Sequence, residues 1–140
     1  MSRGFRHLIA AGALFACASA GAADGLRSVW DGAYNAAQVK RGNAAYVQLC
    51  ETCHGPKLEG SEAPPLAGES FLANWTGYTT ADLLEKMRGT MPQTDPGSLS
   101  IQQYVDLLAF ILSANKFPAG NAELPIIAER LKQIRFEAAR

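Results

Sequence analysis

Apolar positions recur most regularly between Ile101 and Ala114. Tyr104, Leu107, Leu108, Ile111 and Leu112 follow helical spacing, and Val105 and Phe110 widen the same face. Ser100-Ile101-Gln102-Gln103 is a capping-box pattern that opens this helix, and Asn115 is its expected C-cap. A second helix is predicted over 35–49. Its apolar set, Ala36, Val39, Tyr46, Val47 and Leu49, is irregular but shows no strand alternation. Gly42 sits inside it at a cost of ~1 kcal/mol relative to Ala, and a glycine there often marks close approach of another backbone. Tyr46 lies one turn on, along the same face. A third helix is predicted from Thr79, as cap, to about Arg88, with Asp82 near its positive end. Leu83, Leu84 and Met87 share its apolar face, which reads as core. Phe71, Leu72 and Trp75 form a small apolar cluster, about one helical turn. Residues 24–34 read as a loose lead-in. The stretch 126–140 is weakly amphipathic, with Ile127, Leu131 and Ile134 on one face; it is expected to pack back on the domain, meet a partner, or fray. The expected fold class is all-α with long loops.

Two stretches interrupt the helices. Residues 55–70 are rich in Pro, Gly, Ser and Glu, and residues 89–99 run Gly-Thr-Met-Pro-Gln-Thr-Asp-Pro-Gly-Ser-Leu. A long loop in a small domain is usually functional or wrapped around something.

The N-terminus differs from the rest. Residues 2–7 make a short basic region and residues 8–16 an apolar one. Ala18-Ser19-Ala20 and Gly21-Ala22-Ala23 then offer small-residue cleavage sites. This predicts a cleaved signal peptide over 1–23, export to a bacterial periplasm, a domain over 24–118 and a C-terminal extension over 119–140. Leu14-Phe15-Ala16-Cys17 is an alternative lipobox, poorly matched at Phe15; a membrane association is expected only if Cys17 is lipidated. The whole chain carries thirteen basic and thirteen acidic side chains. Loss of Arg3 and Arg6 leaves eleven basic against thirteen acidic, net −2. With no basic run, that balance argues against a nucleic-acid partner.

Cys50-Glu51-Thr52-Cys53-His54 then changes the picture. Two thiols three positions apart, with a His after the second, form the attachment pattern for a c-type haem. Cys50 and Cys53 would form the thioethers and His54 would be the proximal iron ligand. A structural zinc site needs four ligands, and no second pair follows. A thioredoxin-like motif needs a preceding strand, where the pattern here is helical. A simple disulfide leaves His54 unexplained. After processing no second His is available for the sixth iron position, so Met87, Met91, a Lys or Tyr, or water remain. Pro92 biases Met91 to extended backbone, where a thioether can aim at iron, and this favours Met91 over the helical Met87.

The arrangement resembles the class I monohaem cytochromes c over about 36–115. In that family a Gly and an aromatic of the first helix meet an apolar and an aromatic residue of the last. Gly42 and Tyr46 match the first pair, Leu107 and Phe110 the second. The resemblance implies a Pro carbonyl that accepts the proximal imidazole N–H, matched by Pro64 in Pro64-Pro65-Leu66, and an axial Met matched by Met91. Trp75 is similar to a residue packed near the haem edge, where it can reach a propionate; a core Trp bonded to a carbonyl is the alternative. The stretches around Met91–Ser100 and 109–120 look like the small cytochromes that work with quinoprotein dehydrogenases. The resemblance therefore implies a periplasmic one-electron carrier, not an enzyme. It would take electrons from a dehydrogenase and pass them to an oxidase or another cytochrome. The alternatives are a haem-based gas sensor or enzyme with a labile sixth ligand, and a fixed cytochrome subunit of a dehydrogenase complex.

Overall fold

The computed structural model describes Met1 and residues 25–138. The expected leader, with Cys17, lies outside the described residues. In chain order the elements are β1 (Arg27–Ser28), a 3-10 turn (Val29–Asp31), α1 (Ala36–Leu49), α2 (Glu51–His54), α3 (Glu69–Trp75), α4 (Thr80–Thr90), α5 (Ile101–Ala114), α6 (Ala128–Leu131) and β2 (Ile134–Arg135). Among the described residues the fold is all-α apart from a parallel pairing of the two-residue strands β1 and β2 and an isolated antiparallel bridge between Thr79 and Arg135. Among the described residues, no helix is long and apolar enough to cross a membrane.

α1 and α5 form the central crossing. Asn35 caps α1 by accepting the Gln38 N–H at 3.0 Å. Ser100 and Gln103 cap α5 reciprocally, at 2.9 and 3.2 Å. The two helices touch at Gly42. A Cβ there would collide with the Asp106 carbonyl oxygen and lie 2.8 Å from Phe110 Cβ, so only a glycine lets the backbones meet. One turn on, the Tyr46 and Phe110 rings sit 5.1 Å apart. Arg41 borders the crossing with a bidentate pair to Asp106, at 2.7 and 2.8 Å, and reaches Glu123 at 2.9 Å. α5 is buried on nearly every side from Tyr104 to Leu112. That explains why its apolar face reads so broadly in the sequence.

α4 starts where the capping residues predict. Thr79 and Asp82 form a capping box, with the Thr79 N–H donating to the Asp82 carboxylate at 2.7 Å. These bonds, aided by the charges of Arg135 and Lys132, hold the Asp82 carboxyl below its ordinary range. The helix runs past Arg88 to Thr90, and the Met91 N–H still closes onto the Met87 carbonyl at 2.8 Å. Pro92 then forces Met91 to extended backbone, φ −129° and ψ 151°.

Both ends of the chain differ from the sequence expectation. The lead-in is not loose. Val29 and Tyr34 are buried, Ser28 and Asp31 cap the 3-10 turn, and the Tyr34 hydroxyl donates to the Phe117 carbonyl. Nor is the tail one amphipathic helix. After the single turn of α6 it extends, and Ile134, Arg135 and Phe136 alternate buried, exposed, buried. Ile127, expected on the buried face, is exposed, while Leu124, Leu131, Ile134 and Phe136 enter the core. Leu124 is tied to α1 through the buried Gln38 side-chain amide, whose Oε1 accepts the Leu124 N–H at 2.6 Å and whose Nε2 donates to the Leu124 carbonyl at 3.2 Å.

Candidate haem site

α1 ends at Cys50, and the chain turns at once into α2. The His54 N–H donates to the Cys50 carbonyl at 2.9 Å and the Cys53 N–H to the same oxygen at 3.2 Å. Cys50, Cys53 and His54 thus stand at i, i+3 and i+4 of one turn and share a face. This is the physical content of the motif's spacing. Both cysteines are half-buried, and neither is in a disulfide. Burial, with a smaller contribution from Cys53, pushes the Cys50 thiol up to about 11. A thiol so placed is neutral at ordinary pH, opposite to the depressed values of disulfide oxidoreductases.

Residues 55–68 fold back over this turn. Gly55 adopts φ +83°, where a Cβ would run into the Glu59 carboxylate. Its carbonyl accepts the Tyr46 hydroxyl at 2.6 Å. Burial, with like charges nearby, raises the Tyr46 phenol to about 12. The Gly60 N–H donates to the His54 carbonyl at 2.8 Å and the Ala63 N–H to that of Cys53 at 3.0 Å. Asn115 anchors the far end. Its amide donates to the Leu66 carbonyl at 2.9 Å and accepts the Gly68 N–H at 3.0 Å. Pro64 is thereby held against His54, with Nδ1 2.8 Å from the Pro64 carbonyl oxygen. A carbonyl only accepts, so Nδ1 is the donor in this contact, and Nε2 is the ring nitrogen left to meet a metal.

His54, Cys50 and Cys53 border a cavity of about 680 Å³. Pro65 and Leu66 continue the wall on the loop side; Phe71, Trp75 and Tyr78 form a second wall, and Leu99, Leu107 and Ile111 close the interior. Leu83, Met87 and Met91 line the side made by α4 and the loop after it. Met91 is fixed through its backbone: its carbonyl accepts the Tyr104 hydroxyl at 2.6 Å, and that hydroxyl also accepts the Gly97 N–H at 3.1 Å. Trp75 packs against Phe71 and Tyr78, with ring centroids 6.2 and 5.8 Å away. Glu62, Asn74, Asp82, Lys86 and Gln93 supply the polar lining.

The cavity therefore gathers every site residue expected from the sequence. It also gathers side chains read there as core, among them Leu83, Tyr104, Leu107 and Ile111, together with Met87, the sixth-ligand candidate set behind Met91. Met87 lines the cavity beside Met91, because the apolar face of α4 is the cavity wall. Tyr104 is both a core residue of α5 and the clamp on the Met91 carbonyl. Asn115, legible as a C-cap, is in addition the anchor of the 55–68 loop.

What the cavity holds follows from its chemistry. An apolar macrocycle would cover the aliphatic and aromatic walls, the paired thiols would add to its vinyl groups, and the lone pair of His54 would face its metal. A c-type cytochrome brings those requirements together. Comparison with known families agrees: the model of the family described as cytochrome C oxidase, cbb3-type, subunit III, matches residues 37–111, more than half of the chain. The chain belongs to this family. It is a c-type cytochrome of the all-α class I fold, with covalently bound haem c, and an electron-transfer protein that works with redox partners. No curated protein and no solved structure matches it.

Proposed function

We propose that the protein is an exported, periplasmic one-electron carrier whose haem is attached at Cys50 and Cys53 and whose iron is held by His54 and Met91. The observation that carries this reading is the fixed polarity of His54: with Nδ1–H committed to Pro64, Nε2 is the atom left for iron, and the bond strengthens it as a donor. Bound haem supplies a metal that cycles between ferric and ferrous states. The chain's own residues bury it, keep the imidazole oriented and bring a thioether to the same cavity. A His/Met pair favours a high potential. Trp75 would stand at the haem edge, where its indole N–H can meet a propionate. Residues 1–23 would be the cleaved leader, 24–118 the haem domain and 119–140 its C-terminal extension. The donor we favour is a quinoprotein dehydrogenase, and the acceptor an oxidase or another cytochrome.

A second reading, a fixed subunit of an oxidase complex, draws on the family's description. In it, the tail after Gly120 is a poor candidate for the docking arm, because Leu124, Leu131, Ile134 and Phe136 are spent on the domain's own core.

Visible spectra of the haem-loaded protein, wild type and Met91→Ala, test the ligation. The proposal expects low-spin bands with a weak sulfur-to-ferric-iron transition that is lost in the variant. A high-spin wild-type spectrum that shifts readily with carbon monoxide would refute it and favour ligand sensing or catalysis.

A further inference from the structure

The family match ends at residue 111, yet part of the chain beyond it supports a wall of the haem cavity. Phe136 is 1% exposed and packs its ring against Phe71 and Trp75, with centroids 6.1 and 6.2 Å away. It does not itself line the cavity, whereas Phe71 and Trp75 do. Its backbone is bonded to the turn that follows Trp75. The Phe136 N–H donates to the Tyr78 carbonyl at 2.9 Å, and the Phe136 carbonyl accepts the Gly77 N–H at 2.8 Å. The Arg135 guanidinium donates to the Gly77 carbonyl at 3.0 Å. The tail thus clamps the α3–α4 turn from outside, while Trp75 and Tyr78 on that turn face the cavity.

We propose that Phe136 is a positioning residue for the haem: acting through Trp75 and the Gly77–Tyr78 turn, it closes that wall to water and raises the reduction potential. Ferric haem carries one more positive charge than ferrous haem. A dry, low-dielectric wall disfavours the more charged state, and water admitted beside it relieves the penalty. Removing the Phe136 ring frees Trp75 to tilt and lets water reach the haem edge, so the ferric form gains. The inference rests on the haem occupying the cavity beside Cys50 and Cys53.

The test uses the full, haem-loaded protein and two readouts, the midpoint potential and the thermal unfolding midpoint. The variants are Phe136→Leu, Trp75→Phe and the pair combined, with Leu131→Ala as control. Leu131 is equally buried in the tail, but its carbonyl bonds Thr80. Phe136→Leu is expected to shift the ferric-to-ferrous ratio about tenfold toward ferric at fixed applied potential, ~59 mV lower for a one-electron couple. Trp75→Phe should also lower the potential, and the double variant should fall short of the sum. Leu131→Ala should lower the unfolding midpoint and leave the potential alone. If Phe136→Leu fails to load haem, Phe136→Met, similar in volume and without a ring, carries the same expectation. The inference is overturned by a wild-type potential in the Phe136 variant, by additive shifts, or by an equal shift in Leu131→Ala. An unchanged Phe136 variant beside a shifted Trp75→Phe sinks this inference alone. If Phe136→Leu, Trp75→Phe and the wall substitution Leu83→Ala all leave the potential unchanged, the placement of the haem falls with it.

Discussion

The two sides of the cavity are held in different ways. The His54 side is a polar weave: residues 55–68 are stitched back onto α2 through Gly60 and Ala63, tied to α1 by Tyr46 and to α5 by Asn115. The α4 side has two thioethers, Met87 and Met91, and Met91 is steadied through one carbonyl by the Tyr104 hydroxyl. The first side fixes an imidazole to a single orientation. The second fixes a backbone and leaves a flexible side chain to find its own geometry, which suits the soft, adaptable thioether of Met. The His54 side is therefore expected to be rigid before haem arrives, and the α4 side to be completed by it.

The largest expected effect breaks both sides at once. Gly42→Ala puts a methyl group into the Asp106 carbonyl, a backbone atom that cannot swing away, so the helices must separate. Overpacking of this kind costs about 1–3 kcal/mol or more. Denaturant unfolding should show that loss, with weaker haem retention and no preference between the two sides.

Asn115→Ala separates them. It removes the bonds to the Leu66 carbonyl and the Gly68 N–H and leaves half-buried groups unpaired, about 2 kcal/mol in all. Its mark should appear on the His54 side, as faster amide exchange across 55–68 and a lowered potential, with the Met91 spectral signature kept. Tyr104→Phe is the mirror experiment, at ~1 kcal/mol. It frees the Met91 carbonyl, so carbon monoxide should bind the reduced protein faster while exchange across 55–68 stays as in wild type.

The contrast in legibility follows the same line. Cys50, Cys53 and His54 could be read directly because their relation is local: one helical turn contains it. α5 was legible from its periodicity and from signals at both ends. Pro64 contributes a backbone carbonyl, which leaves no trace in composition or spacing, and it entered only through a family resemblance. Met87 could not be told from a core residue, since periodicity marks an apolar face without saying whether protein or haem lies against it. The strand pairing of the tail was invisible, because two-residue strands have no period and their partner lies at the other end of the chain. Phe136 was lost with it.

The smallest expected effect concerns pH and the start of α4. The Asp82 carboxyl is held below its ordinary range by the Thr79 N–H and hydroxyl. Its stabilising contribution is thus fully present above the unfolded value, about 3.9, and is lost as pH falls through the folded one. Asp82→Asn should flatten the acid limb of the thermal unfolding midpoint slightly, and any change in carbon monoxide binding should stay below that of Tyr104→Phe.

The central claim is that of the two thioethers lining the cavity, the one at the end of α4 reaches the iron. Proton NMR of the reduced, haem-loaded protein tests it directly, because a ligating methyl group lies over the macrocycle and is shifted far upfield by its ring current. The account predicts one such methionine methyl signal, present in wild type and Met87→Leu and absent in Met91→Leu. A signal that disappears in Met87→Leu instead, or no upfield methyl in wild type, would contradict it.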